Sequence, residues 1–267
     1  MNVDLSDDIR QAVVICRNEM RKFVHGKKFL IFSIIMLAIL GIETIVPYAL
    51  GDGYDNVDQI TAALLGTLAT IITLAGVLFT STSIVSEFQD RTALILLTKP
   101  VRKWVIYLGK MFASLIIVIG FTAFYYVFIA VFTLVMEGGF NVDLGKSLIV
   151  SVFCIFAITG LCMFVSSIAK NGGTAIIISL LLQLFALSLV SSLLHQFAHI
   201  DTWWCMTDAM NSIVYCMDLS GFTLPGSTTP VFTMEPVEDT VRNVVVLFVW
   251  GVVTSVAGCY LFKRRDM

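Results

Sequence analysis

Long stretches without a charged side chain constrain this sequence more than any other feature. Residues 59–86, 111–136, 171–200 and 243–262 hold no Asp, Glu, Lys or Arg. The hydrocarbon layer of a bilayer is about 30 Å thick, and roughly 20 apolar residues of helix cross it. Six runs meet that length, at about 29–50, 60–86, 104–136, 147–169, 173–198 and 243–262. In lipid every backbone polar group needs a partner within its own segment, which a helix supplies. A barrel would show weakly alternating segments of about ten residues, and this pattern does not occur. Of 267 residues, 58% are hydrophobic and 13% charged, well below the charged share of a soluble domain. The first run follows 28 residues and precedes no small-x-small cleavage site, so it reads as a span rather than a signal peptide.

The few charges set the orientation. Six basic residues precede the first run (Arg10, Arg17, Arg21, Lys22, Lys27, Lys28). Five lie between 86 and 110, then Lys170, then Lys263, Arg264 and Arg265, which makes 15 of the 17 Lys and Arg. The opposite loops hold only Lys146 and Arg242 and are rich in acids, among them Asp52, Asp55, Asp58, Glu137, Asp143, Asp201, Asp208 and Asp218. Positive loops stay inside, which predicts a multi-pass protein of the cell membrane with both termini cytoplasmic. A net charge of −2 gives no reason to expect nucleic acid as a partner.

Residues 5–26 read as an amphipathic interfacial helix. Ser6 is a candidate N-cap, and Asp7 and Asp8 suit the positive end of the helix dipole. Ile9, Ala12, Val13, Cys16, Met20, Phe23 and Val24 recur at helical spacing, Arg10, Arg17 and Arg21 line another face, and Gly26 ends the helix. It is either a simple anchor or an elbow helix that also touches a cytoplasmic partner.

The segment 86–103 joins the second and third runs. It holds a leucine-rich stretch between two charge clusters, and Pro100 disfavours helix at Lys99. Trp104 and Tyr107 then fall at interface depth. Glu87, Thr92, Leu96-Leu97, Pro100-Val101-Arg102 and Leu108-Gly109-Lys110 resemble the signature of type-2 ABC transporter permease subunits, the six-span exporter class. The ending Tyr260-Leu261-Phe262-Lys263-Arg264-Arg265-Asp266-Met267 is similar to that family's usual tail. Arg91 stands where the family often has Gly. The resemblance implies an all-α integral membrane fold of one permease domain over 1–267. It implies a cytoplasmic coupling helix docking on a separate ATPase subunit, with Glu87, Asp90, Arg91, Thr92, Pro100 and Arg102 at or near the contact. It also implies a second permease subunit, as a homodimer or heterodimer.

The chain carries no ATP-hydrolysing motif of its own. A phosphate loop needs four residues between its glycines, whereas Gly139-Phe140-Asn141-Val142-Asp143-Leu144-Gly145-Lys146-Ser147 has five and lies in an outer loop. No cofactor is expected here; ATP and Mg²⁺ are expected on the partner subunit.

Pathway candidates come from polarity inside the runs. These are Thr67 and Thr70 in the second, Gln183, Ser188 and Ser192 in the fifth, and Glu43, the one carboxylate within a run. Each also has a structural reading: hydroxyls bond their own helix backbone or a neighbouring helix, and Glu43 lies near the outer water. Residues 199–240 form an outer loop, with helical spacing of Trp203, Met206, Met210 and Met217. His195 and His199, one turn apart, are weak candidates for a soft metal such as copper. Two other functions stay open. A mechanotransmitter would act on an outer partner, for example in copper-enzyme maturation. A secondary transporter would show buried ionisable pairs and internal repeats, and the sequence displays neither.

Overall fold

The computed structural model describes residues 5–50, 54, 57–89, 102–139, 143–198, 202–216 and 240–264. They are almost all helical, with no strand among them. Helix α1 is Leu5–Val24, α2 Lys27–Leu50, α3 Val57–Thr80, α4 Val85–Gln89, α5 Lys103–Glu137 and α6 Leu144–Ile168. The fifth apolar helix is composite: α7 Gly172–Leu180, a π-helical turn Leu181–Ala186, α8 Leu187–Leu193, and a second π-helical turn Leu194–Ala198. Helix α9 is Met206–Tyr215 and α10 is Thr240–Arg264. Among the described residues, six helices are long and apolar enough to cross a bilayer. They agree with the six runs in the sequence.

The spans differ in how much they bury. Ile60–Glu87 and Leu144–Ile168 are mostly buried, whereas Lys27–Ala49 and Gly172–Phe197 are mostly exposed. The second, third and fourth spans therefore form the centre, and the first and fifth stand at the edge. Their outer faces (Ile31, Ile34, Ile45; Ile177, Phe185, Leu189) are apolar and exposed, as lipid or a protein neighbour requires. An aromatic cluster joins α1, α2, α3 and α5: Phe23 and Phe32 meet the Phe79 ring edge-on, and Phe79 stacks on Phe121 with centroids 5.6 Å apart. Helix α5 ends at Gly138, whose φ of 64° is a left-handed conformation that costs glycine little.

Small residues let α6 and α10 approach closely, as is common between membrane helices. A Cβ on Gly160 would stand 2.6 Å from Thr254 Oγ1 and 2.8 Å from the Gly251 carbonyl oxygen. One on Gly251 would collide with the Phe156 ring. Overpacking costs about 1–3 kcal/mol, so Gly160→Val is expected to lower the melting temperature in detergent by about 2–10 °C. Gly120→Ala is the control, because a Cβ there meets nothing within 4 Å. Equal melting of both variants would remove the close crossing.

Helix α9 lies over α3, α6 and α10 and buries Met206, Ala209, Ile213 and Val214. Cys205 and Cys216 flank it, and both thiols are free. Eleven helical residues separate them by about 16.5 Å, beyond the roughly 7 Å limit for a disulfide. Burial raises both thiols above their ordinary pKa, with the Asp208 carboxylate adding to the effect at Cys205. Non-reducing peptide mapping is expected to show no Cys205–Cys216 link; a linked pair would mean that α9 is not continuous.

Candidate coupling region and membrane cleft

Lys110 sits two turns into α5, is 2% exposed, and carries a charge that apolar surroundings penalise. Three acceptors compensate it. Its Nζ donates at 2.9 Å to Glu19 Oε1, Glu87 Oε1 and the Ser83 carbonyl oxygen. Lys22 completes the cluster, 2.9 Å from Glu19 and 3.5 Å from Glu87. Burial works against the Lys22 ammonium, yet Glu19 and Glu87 together hold its pKa above the ordinary value. One ammonium thus ties α1, the turn after α3, α4 and α5 together. The cluster lies near one end of the third span, not at the midplane where secondary transporters place their sites.

A second ion pair fixes the start of α1. Arg102 Nη1 is 3.1 Å from Asp8 Oδ2, and Asp8 is 2% exposed. Between the two pairs α1 crosses α5 at Gly109, where a Cβ would lie 2.9 Å from both the Ala12 carbonyl oxygen and Ile15 Cγ2. Helix α1 therefore has three faces. Asp8, Ala12, Ile15 and Glu19 meet the bundle. Ile9 and Val13 are exposed on an apolar face, and Arg10, Arg17 and Arg21 are exposed on a polar one. Apolar periodicity finds the helix but does not identify its bundle face, which acids mark.

Of the six residues expected at the coupling contact, two are described. Glu87 is 9% exposed and faces Lys110; Arg102 is exposed and holds Asp8. Asp90, Arg91, Thr92 and Pro100 lie outside the described residues, as does His199. His195 is exposed. Glu19 and Lys110 were not singled out as a pair by sequence reasoning. The available signal was an unusual one, a Lys inside the apolar third span and an acid one turn before Phe23 in a cationic helix.

The pathway candidates fall into two groups. Thr70, Gln183 and Ser188 line one cleft of about 200 Å³ with Thr73, Thr207 and Asn211. It lies between α3, the π-helical turn Leu181–Ala186, α8 and α9. Its walls mix hydroxyls, amides and thioethers with the apolar Ala69, Leu184 and Leu187, and among the described residues no charged side chain lines it. Gln183 donates its amide to Cys162 Sγ at 3.1 Å, and its buried Oε1 has no hydrogen-bond partner among the described residues. Thr67 and Glu43 go elsewhere. The Tyr125 hydroxyl lies 3.0 Å from Thr67 Oγ1, 3.2 Å from Glu43 Oε2 and 2.8 Å from the Leu64 carbonyl oxygen. Tyr54 donates to the Glu43 carbonyl oxygen at 3.0 Å. This group joins α2, α3 and α5 inside the bundle. Ser192 is exposed, and its neighbour Ser191 instead donates to Asp208, 2.7 Å from Oδ2.

Removing one member of a buried ion cluster strands the others. Lys110→Met is therefore expected to destabilise the protein by about 3–5 kcal/mol. The triple variant Glu19→Gln/Glu87→Gln/Lys110→Met removes the stranded charges and should regain more than half of that loss. Thermal unfolding in detergent reads both. A single variant as stable as the parent, or a triple variant no better than the single, would show that the cluster carries no such energy.

The family model described as ABC-2 family transporter protein matches residues 13–267. No curated protein matches the chain. The matched region takes in the six apolar helices, the ion cluster and the cleft. The chain accordingly belongs to the ABC-2 transporter family, as a multi-pass membrane protein of the permease type.

Proposed function

We propose that this chain is the membrane-spanning permease subunit of an ABC exporter, residing in the cell membrane with both termini cytoplasmic. A separate ATPase subunit binds ATP and Mg²⁺ and docks on the segment 86–103. The family match over residues 13–267 carries the reading. The ion cluster supports it, since Glu87 anchors the entry to that segment and Arg102 its exit. Movement imposed on the segment would pull directly on α1 and on the third span. A second permease subunit, identical or related, completes the cleft. Thr70, Gln183 and Ser188 face the substrate there, and Thr67, Glu43 and Ser192 stand outside that contact. A cleft without charged walls suits an uncharged or weakly charged amphipathic substrate.

Arg91→Glu reverses a charge on the docking segment. Like charges across an interface cost several kcal/mol, so the variant is expected to lose most of its association with the ATPase subunit at unchanged thermal stability. Affinity purification from the native host, scored for a copurifying ATP-binding subunit, measures this. The chain by itself is expected to hydrolyse no ATP. Robust turnover by the isolated chain, or full association of Arg91→Glu, would overturn the reading.

A further inference from the structure

A second cleft of about 670 Å³ opens beside the ion cluster, between the α1–α2 turn and the turn that links α3 to α4. Three lysines line it: Lys22, Lys27 and Lys28. Its two carboxylates, Glu19 and Glu87, are already held by Lys110 and Lys22. Lys27 and Lys28 have no carboxylate partner among the described residues, and Lys28 Nζ donates only to a neutral hydroxyl, Thr82 Oγ1 at 2.7 Å.

Two further observations add positive charge at this cleft, and no acid among the described residues offsets it. Lys27 and Lys28 begin α2, where the helix dipole is itself positive and no acid occupies the first turn. Helix α7 also starts at this cleft, without an acid in its first turn, although the Gly172 N–H already donates to Gln89 Oε1 at 3.1 Å. The Ser83 hydroxyl, on a residue 4% exposed in the cleft wall, finds no hydrogen-bond partner among the described residues. Two cations at the positive end of α2, beside an unpartnered hydroxyl, form the chemistry of a phosphate site.

We propose that this cleft binds the phosphate of an anionic phospholipid from the leaflet on the basic side of the membrane. Lys27 and Lys28 are the main contacts. The surface of α2 identifies the source of the phosphate as lipid. Ile31 and Ile34 follow Lys27 by four and seven residues and Ile35 follows Lys28 by seven, so each lysine shares a helix face with exposed apolar residues. A headgroup at the lysines leaves its acyl chain lying along that face. The site depends on the membrane placement of α2 and not on the proposed transport function.

Native mass spectrometry of the purified full-length chain in detergent tests the site. The probes are phosphatidylglycerol, phosphatidylcholine and inorganic phosphate. Phosphatidylglycerol is expected to be retained in clear preference to phosphatidylcholine, and inorganic phosphate at equal concentration should not displace it. A lysine near an anionic lipid contributes about 1 kcal/mol, so retention should fall about fivefold for each lysine removed in Lys27→Gln/Lys28→Gln. Ser86→Glu, which adds a carboxylate to the cleft wall, should reduce retention as well, with the elution volume of both variants unchanged. Lys263→Gln/Arg264→Gln removes two cations from the basic side away from the cleft and should have no such effect. Equal retention of the two lipids, or an equal loss in that last variant, would replace the site with diffuse attraction and overturn the proposal. Displacement by inorganic phosphate would overturn the lipid as its occupant.

Discussion

Burying the Lys110 ammonium is the most demanding step in this fold. An ion taken out of water loses several kcal/mol of solvation even after the surroundings relax. That loss is offset only where several acceptors converge, and here they come from three separate segments. The cluster cannot form until α1, the turn after α3, α4 and α5 are all in place. Hydrophobic packing sets these helices side by side but tolerates sliding, since lipid is as apolar as a neighbouring helix. A charge with three fixed partners does not slide. The Asp8–Arg102 pair and the close approach at Gly109 then set the direction of α1 along α5.

The transmembrane architecture was legible in the sequence because bilayer thickness acts on each run separately. Length and lack of charge are local properties, and the six helices follow from them. The orientation of α1 was not legible. Its environment is apolar on two sides, bundle and lipid, so Ile9 and Val13 look inward-facing by hydropathy and are in fact exposed. The acids that do face inward find partners up to 94 residues away, and no local pattern reports such a pairing. The pathway candidates show the same limit. Thr70, Gln183 and Ser188 share a cleft, but Ser192 does not join them. A π-helical turn closes i→i+5 bonds and rotates whatever follows it relative to an ideal α register. Each π-helical residue turns through a smaller angle than an α-helical one, so the inward position after Gln183 comes one residue late, at buried Ser191 and not at exposed Val190. Thr67 and Glu43 are intramembrane polar groups satisfied by Tyr125, a partner visible only in three dimensions.

The described ends of the segment 86–103 are both tied into the bundle by ion pairs. Its entry is held by Glu87 and its exit by Arg102, and both anchors lead to α1. In the proposed exporter, force from an ATPase subunit at this segment would enter the membrane through charged contacts instead of a compliant apolar interface. Helix α1 would then act as a brace across the third span, and the first span, joined to it through Gly26, would follow. Gly26 suits that junction, since a Cβ there would stand 2.9 Å from the Lys22 carbonyl oxygen.

The ion cluster and the proposed phosphate site share one wall, so their charges have to be considered together. Four lysines (Lys22, Lys27, Lys28, Lys110) surround two carboxylates (Glu19, Glu87). Lys110 and Lys22 neutralise those carboxylates, which leaves the charge of Lys27 and Lys28 in excess at the foot of the first span. Water offsets part of this excess, but the same lysines begin a helix whose dipole opposes them. A phosphodiester contributes a single negative charge and would therefore relieve the repulsion without drawing Lys22 or Lys110 away from the acids. Lipid binding and the ion cluster are thus compatible: the anion fills a deficit that the cluster leaves, and it would steady the turn on which α1 and α2 meet.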